Sequence, residues 1–335
     1  MATILVTGGA GYVGAHCCLA LKRAGHTPVV YDNLSNGHEK FAKWGPFERG
    51  DIADKTRLGS VFATHKPAAV LHCAASIEVG ESVKFPDRFY HNNVFGALNV
   101  LDAMREHGVK AFVFSSTCAT YGEPQHLPMD ETHRQSPVSP YGWSKLMVER
   151  MSADIASAYG SKFAHLRYFN AAGAAPDDGI GERHEPESHA IPLALFTLLG
   201  RRESFKIFGN DWDTRDGTCL RDYVHTLDLA DAHVRAIDRL LGGGESLNAN
   251  LGTGDGVTVL ELLAAVERVT GRKVPAVEAP RREGDAPALL ADTALAKREL
   301  GWAPERHIDA VIADAWKWHS EVEPEQFGPA PFNPV

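Results

Sequence analysis

Apolar positions along the chain fall into short unbroken runs, separated by longer stretches in which they recur with helical spacing. Thr3-Ile-Leu-Val-Thr, Thr27-Pro-Val-Val-Tyr, Ala69-Val-Leu-His-Cys, Ala111-Phe-Val-Phe-Ser and the segment from Phe163 to Phe169 are runs of the first kind. They are too short for helices and read as strands buried on both faces. Between them, helical patterns run from about Ala15 to Ala24, near Phe89 to His107, and from Tyr141 to Tyr159. Strand alternating with helix predicts an α/β fold built on a Rossmann-type, doubly wound parallel sheet. After Asn170 the pattern degrades into Ala171-Ala-Gly-Ala-Ala-Pro-Asp-Asp-Gly, a loop rich in His and Glu, and a short helix from about Ile191 to Gly200. We expect one domain over 1–170, a return of the chain to it at about 222–240, and a smaller C-terminal substrate-binding lobe over 171–335.

The first strand runs straight into Gly8-x-x-Gly11-x-x-Gly14. A glycine triplet alone is commonly just a turn. Followed by a helix, a second strand and an acid about 20 residues on, it reads as a dinucleotide site. The glycines admit a pyrophosphate to the backbone, and the helix N-terminus offers it unpaired N–H groups. The acid is Asp32, suited to a ribose 2'-hydroxyl; a 2'-phosphate would be repelled there and no arginine follows closely to receive one. That favours NAD over NADP.

The chain has eight tyrosines, and only Tyr141 is followed four residues later by lysine, Lys145. One helical turn puts phenol and ammonium on one face, although such a pair in isolation is a common surface contact. A second cluster, Phe114-Ser-Ser-Thr-Cys-Ala-Thr-Tyr-Gly, closes a predicted strand. Ligands of a doubly wound sheet bind at the carboxyl ends of strands, so these hydroxyls would face the glycine turn and Tyr141.

Composition narrows the partners. The 335 residues are 44% hydrophobic and 23% charged, as in ordinary globular enzymes, and the net charge of −9 gives no general attraction to nucleic acid or anionic lipid. No apolar run approaches the ~20 residues of a membrane span, and the first strand begins almost at the N-terminus, so a cytoplasmic location is expected. Five cysteines suit reduced thiols with packing roles. None of the 16 histidines forms His-Glu-x-x-His; His184 and His189 read as substrate-facing or solvated, and no metal is expected.

With these residues in hand, the chain resembles the sugar-nucleotide 4-epimerases of the extended short-chain dehydrogenase/reductase family over nearly its whole length. The resemblance is carried by Thr7–Gly14, Asp32–Gly37, Gly50–Ile52, Val79–Ser82, Asn92–Val94, Ser139–Lys145, Leu166–Asn170, Ile207–Asp211, Asp216–His225 and Arg281–Asp285. It implies an isomerase that inverts C4 of a UDP-hexose through a transient 4-keto sugar, with NAD regenerated in each cycle. Tyr141 would be the base, and lowering its pKa from ~10 to ~7 needs about 4 kcal/mol of preferential phenolate stabilisation. Lys145 and the nicotinamide cation would supply it, Lys145 also bonding the ribose. Thr117 would hold the proton in line, with Ser116 as the alternative one register away. By the same resemblance NAD would be contacted by Gly8, Gly11, Tyr12, Val13, Gly14, Asp32, Asn33, Leu34, Ser35, Asn36, Gly37, Asp51, Ile52, Cys73, Ala74, Ala75, Ser76, Asn93, Thr117, Tyr141, Lys145 and Phe169. The UDP-sugar would be contacted by Thr117, Tyr141, Asn170, His189, Ala190, Lys206, Ile207, Phe208, Arg221, Arg282, Asp285 and Leu289, with the two arginines on the diphosphate.

Three positions depart from the family pattern. Ile77 stands where many members carry a lysine touching cofactor and substrate, His189 where asparagine is frequent, and Leu289 where a bulky tyrosine excludes N-acetylated sugars. Leucine is intermediate in volume, so hexose, N-acetylhexosamine and pentose substrates all stay open. A 4,6-dehydratase would need an acid pair after Thr117, where this chain has Cys118 and Ala119; a non-catalytic NAD sensor would need neither Tyr141 nor Lys145. The family also implies a homodimer through the helix after Phe89 and the Tyr141 to Tyr159 helix. Leu98, Leu101, Met147 and Met151 would contribute to that contact or else fill the monomer's own core.

Overall fold

The first strands alternate sides at every residue. Ile4 and Val6 of β1 (Thr3–Thr7) pack with Cys17 and Leu21 of helix α1 (Tyr12–Arg23), whereas Leu5 packs with Val29 of β2 (Thr27–Asp32) in the opposite layer. The chain continues through β3 (Phe47–Arg49), α2 (Lys55–His65), β4 (Ala69–His72), α3 (Val79–Lys84), α4 (Pro86–Phe89), α5 (Gly96–Glu106), β5 (Ala111–Thr117), α6 (Pro140–Tyr159) and β6 (Lys162–Tyr168). Then follow β7 (Asn170–Ala172), α7 (Ala190–Leu198), β8 (Phe205–Phe208), β9 (Leu220–Arg221), β10 (Tyr223–His225), α8 (Thr226–Leu241) and β11 (Leu247–Leu251). The last elements are β12 (Val257–Thr258), α9 (Val259–Thr270), β13 (Ala276–Ala279), β14 (Ala288–Leu289), α10 (Ala294–Leu300), α11 (Ile308–Lys317) and α12 (Glu323–Phe327). The computed structural model describes residues 1–282 and 284–328; Glu283 and the proline-rich end of the C-terminal lobe, 329–335, lie outside the described residues.

Seven strands form one parallel sheet in the order β11-β6-β5-β4-β1-β2-β3. The order reverses between β1 and β4, which opens a crevice at the carboxyl ends of those strands. α1 and α8 cover one face through Leu21, Leu229, Val234 and Ile237; α2, α5 and α6 cover the other through Leu58, Val61, Val100, Leu101 and Val148. Each fully buried aliphatic side chain contributes about 1.5–3 kcal/mol of transfer free energy. The lobe after Asn170 has its own core, in which Ile191 and Leu195 of α7 meet Ile207, Leu262, Val266, Val311 and Ile312.

Several boundaries differ from the sequence reading. α1 begins at Tyr12, because Gly11 adopts the extended conformation of an N-cap and lets the helix start immediately after the turn. α6 begins at Pro140, with the Ser139 hydroxyl accepting from the Gly142 N–H at 3.2 Å. The helix expected near Phe89 to His107 is broken by a π-turn over Tyr90–Phe95 between α4 and α5. β11 was not expected at all, and it extends the sheet beyond the anticipated return of the chain. Leu101 and Met151 pack into the monomer's core, whereas Met147 is exposed. All five cysteines are free thiols. Among the described residues, no helix is long and apolar enough to cross a membrane.

Candidate active site

Five strand ends meet at the crevice. β1 delivers the glycine turn, β2 Asp32, β4 His72 and Cys73, β5 Thr117, and β6 Phe169 just past its end. The turn requires glycine at two places: a Cβ on Gly8 would lie 2.6 Å from the Ala74 backbone nitrogen, and one on Gly14 would lie 2.1 Å from the Gly8 oxygen. Gly8 also has φ +71°, a conformation that L side chains rarely adopt. The N-terminus of α1 has no side-chain cap and no acid in its first turn, so its main-chain N–H groups, those of Tyr12 and Val13 among them, suit a pyrophosphate.

Asp32 is buried, and burial raises its carboxyl pKa. One oxygen accepts from Ala10 N–H at 3.0 Å and the other from Leu34 N–H at 2.8 Å, which ties the glycine turn to the Asn33–Gly37 loop. A carboxylate has about four lone-pair sites, so acceptor capacity remains for a ribose hydroxyl. Asp51 braces the same loop by accepting from Asn33 Nδ2 at 2.9 Å. Ile52 packs into the sheet core and reaches a ligand only through its main chain. Asn93, carried by the π-turn, accepts from Ser76 N–H at 2.8 Å and donates to Ser144 Oγ at 2.9 Å, joining the Cys73–Ser76 segment to α6.

Tyr141 and Lys145 are both buried on α6. Lys145 Nζ donates to the Ser115 carbonyl at 2.9 Å and lies 5.9 Å from the centre of the Tyr141 ring. An ammonium has three donors, so Lys145 keeps two beyond the one on Ser115. Burial lowers the Lys145 pKa to about 8, with Cys73 and Glu149 opposing the fall. Burial pushes the Tyr141 phenol up, and a hydrogen bond with the Thr117 hydroxyl draws it back. Thr117 is therefore the hydroxyl beside the phenol. Ser116 donates instead to Glu149 Oε1 at 2.5 Å, in a buried network the sequence did not disclose. There Arg167 pairs both Glu149 oxygens at 2.9 and 2.6 Å and donates to Tyr121 Oη at 2.9 Å, which donates in turn to Asn250 Oδ1 at 2.6 Å.

The substrate-side residues fall into two groups. Arg221, Arg282, Asp285 and Phe208 lie together: Arg282 pairs Asp285 at 3.0 Å and its guanidinium sits 5.4 Å from the centre of the Phe208 ring, while Arg221 approaches Asp285 at 3.5 Å. Leu289 is paired in register with Arg221 and packs against the cluster of Phe169, Tyr121 and Met129, next to Cys118 at the end of β5. Lys206 is exposed on β8, and Ile207 points into the lobe's core, so it meets a ligand only through its main chain. The second group is Asn170, which donates from Nδ2 to the Asp222 carbonyl at 3.0 Å, and His189 and Ala190, which cap and begin α7. His189 is engaged by Glu187 and Glu182 at 2.7 and 2.9 Å.

A glycine turn before an uncapped helix, an acid ending the next strand and a buried tyrosine–lysine pair at a neighbouring strand end define a nucleotide-cofactor α/β enzyme acting on an alcohol. Residues 4–252 match the model of the NAD dependent epimerase/dehydratase family, and the chain belongs to that family, within the extended short-chain dehydrogenases/reductases. A UDP-glucose 4-epimerase of Rhizobium meliloti is 59% identical over 95% of this chain and 97% of that protein. Among solved structures, a UDP-glucose 4-epimerase from Brucella ovis in complex with NAD has a TM-score of 0.93 at 46% identity, covering 98% of this chain and 99% of that one. A second, from Stenotrophomonas maltophila with bound NAD and formylated UDP-arabinopyranose, has a TM-score of 0.93 at 40% identity, covering 95% and 98%.

Proposed function

We propose that this protein is an isomerase that interconverts UDP-glucose and UDP-galactose by inverting C4 of the hexose, with NAD as resident cofactor. The observation that carries the reading is the buried group of Tyr141, Thr117 and Lys145 beside the glycine turn. Tyr141 takes the proton of the C4 hydroxyl through the Thr117 hydroxyl, and Lys145, held by Ser115, favours the phenolate. NAD, when bound, accepts the C4 hydride and later returns it. The 4-keto sugar turns over in the pocket and presents its other face, after which Tyr141 gives its proton back to O4. Hydride and proton are both restored, so no net oxidation occurs.

In this reading Gly8, Gly11, Tyr12, Val13, Gly14, Asp32–Gly37, Asp51, Ile52, Cys73–Ser76, Asn93 and Phe169 hold the cofactor. Arg221 and Arg282 clamp the diphosphate, Phe208 and Asp285 flank them, Asn170, His189, Ala190 and Lys206 complete the nucleotide-sugar site, and Leu289 bounds the sugar pocket. The cofactor lobe spans 1–170 and is rejoined from about 222 through α8 and β11, to Leu251, and most of the remainder covers the substrate. The enzyme acts as a cytoplasmic homodimer. Incubation with UDP-galactose and no added NAD, followed by NMR of the sugar, should show conversion at C4 to UDP-glucose. No conversion even after NAD is supplied would overturn the reading.

A further inference from the structure

The loop that leads into α7 carries Glu182-x-His184-x-x-Glu187-x-His189. Nδ1 of His184 lies 3.4 Å from a Glu182 oxygen and 3.6 Å from Glu187 Oε2, and Nδ1 of His189 lies 2.9 Å from that same Glu182 oxygen and 2.7 Å from Glu187 Oε1. One donor atom from each of the four residues lies within 4.8 Å of all the others. Metal–ligand arms of about 2.0–2.2 Å, set tetrahedrally, place neighbouring donors about 3.4 Å apart. The two His184 distances match that edge, and the two His189 distances, 2.9 and 2.7 Å, fall short of it by about 0.5 and 0.7 Å, so His189 must draw back from both carboxylates as an ion enters. Two imidazole nitrogens and two carboxylate oxygens form a donor set suited to Zn²⁺. Nδ1 of His184 is buried and makes no hydrogen bond, because the Glu182 oxygen at 3.4 Å is not aligned for one and the Glu187 oxygen at 3.6 Å is too far.

The surroundings hold these donors in place, as the outer partners of a metal site do. Main-chain N–H groups of Ser188 and His189 donate to Glu187 Oε1 at 2.7 and 2.8 Å, Trp318 Nε1 donates to the Glu182 carbonyl at 2.8 Å, and the Tyr12 ring packs edge-on against His184. We propose that Glu182, His184, Glu187 and His189 form a structural Zn²⁺ site that pins this loop between the start of α1 and the start of α7. The expectation of no metal rested on the absence of a helical His-Glu-x-x-His motif. Here the ligands instead come from an irregular loop folded back on itself. Coordination through Nδ1 would fix the His189 ring and leave its Nε2–H for a ligand at the head of α7. That consequence rests on the substrate role proposed for His189, whereas the metal site does not.

The test uses the full-length protein, stripped with a chelator and titrated with Zn²⁺ alone against a chromophoric competitor. We expect one equivalent bound with a Kd below about 1 μM. His184→Gln and Glu187→Gln should each weaken binding by about 100-fold or more, while His126→Gln, at an exposed histidine elsewhere, should leave it unchanged. Co²⁺ added to the unaltered protein should give the intense visible bands of a four-coordinate ion, a readout that does not depend on how the variants fold. Failure to bind Zn²⁺ at 10-fold above that concentration, weak six-coordinate Co²⁺ bands, or variants that bind like the parent would overturn the proposal. The cluster would then be an ion-paired one only.

Discussion

Tyr141 and Lys145 are perturbed in opposite directions by the same cause. Burial disfavours whichever form is charged, so the phenol rises and the lysine falls to about 8. Removing the phenolic oxygen in Tyr141→Phe should cost ~10²- to 10⁴-fold in kcat while NAD and UDP-sugar still bind; retention of more than a few per cent of activity, read by coupled assay, would assign the base elsewhere. Lys145 acts as a cation, and with its pKa lowered the charge is lost earlier than in an ordinary lysine as pH rises. The kcat/KM profile should therefore decline above about pH 8, and the Lys145→Met variant should be both slow and free of that alkaline limb. Leu289 stands beside Arg221 at the mouth of the Phe169 cluster. Leu289→Tyr should depress N-acetylated UDP-sugars selectively, by about 10- to 200-fold for the lost space; equal losses on both sugar types would remove Leu289 from the sugar pocket.

The elements that position those residues are braced from behind. Glu149 on α6 and Arg167 on β6 are each about 4% exposed and pair through both carboxylate oxygens, with Ser116 of β5 donating to the same group. Breaking one partner leaves an uncompensated buried charge, so Glu149→Ala should lower stability by about 3–5 kcal/mol in urea unfolding. Burial opposes ionisation of Glu149, but the Arg167 guanidinium wins and holds the carboxyl below its ordinary range. A depressed folded-state pKa contributes stability above the unfolded value of ~4.3, and that contribution is lost as pH falls through the folded value. The brace is at full strength at neutral pH and weakens only in acid. Nothing in the local sequence marked it, because Glu149 and Arg167 meet only after α6 has packed against the sheet that holds β6, and Ser116 joins them only once β5 and β6 have paired. The glycine turn, Asp32 and the Tyr141–Lys145 turn were legible for the opposite reason, since each is fixed by residues within one supersecondary unit. β11 was missed because its Leu-Asn-Ala-Asn-Leu pattern places amides where a buried strand normally has apolar side chains. Those amides are bonded, Asn250 to Tyr121 and Asn248 to His165. The sequence reads His184 and His189 as substrate-facing or solvated and does not join them to Glu182 and Glu187, because that cluster depends on the loop's folding back on itself.

At the scale of the whole molecule, the catalytic helix also faces outward. Trp143 and Met147, one turn apart on α6, are 43% and 40% exposed, and Phe95 of the π-turn packed against that helix is 46% exposed. The sequence offered Leu101 and Met151 for the same contact, but both are taken by the monomer's core. An apolar group left in water on adjoining helices fits the proposed homodimer, and a stable pair needs about 800 Å² from each partner. Light scattering on the eluting protein should then give twice the chain mass of 36.4 kDa. Trp143→Glu combined with Met147→Glu should give the single chain mass with far-ultraviolet circular dichroism unchanged, because both side chains are substantially solvent-exposed in the isolated chain. Since α6 carries Tyr141 and Lys145, the dissociated form should also melt at lower temperature and turn over more slowly, with its NAD still bound. A parent protein that elutes at the single-chain mass would show that this face is not the contact, and that α6 is held by the Glu149–Arg167 brace and the sheet alone.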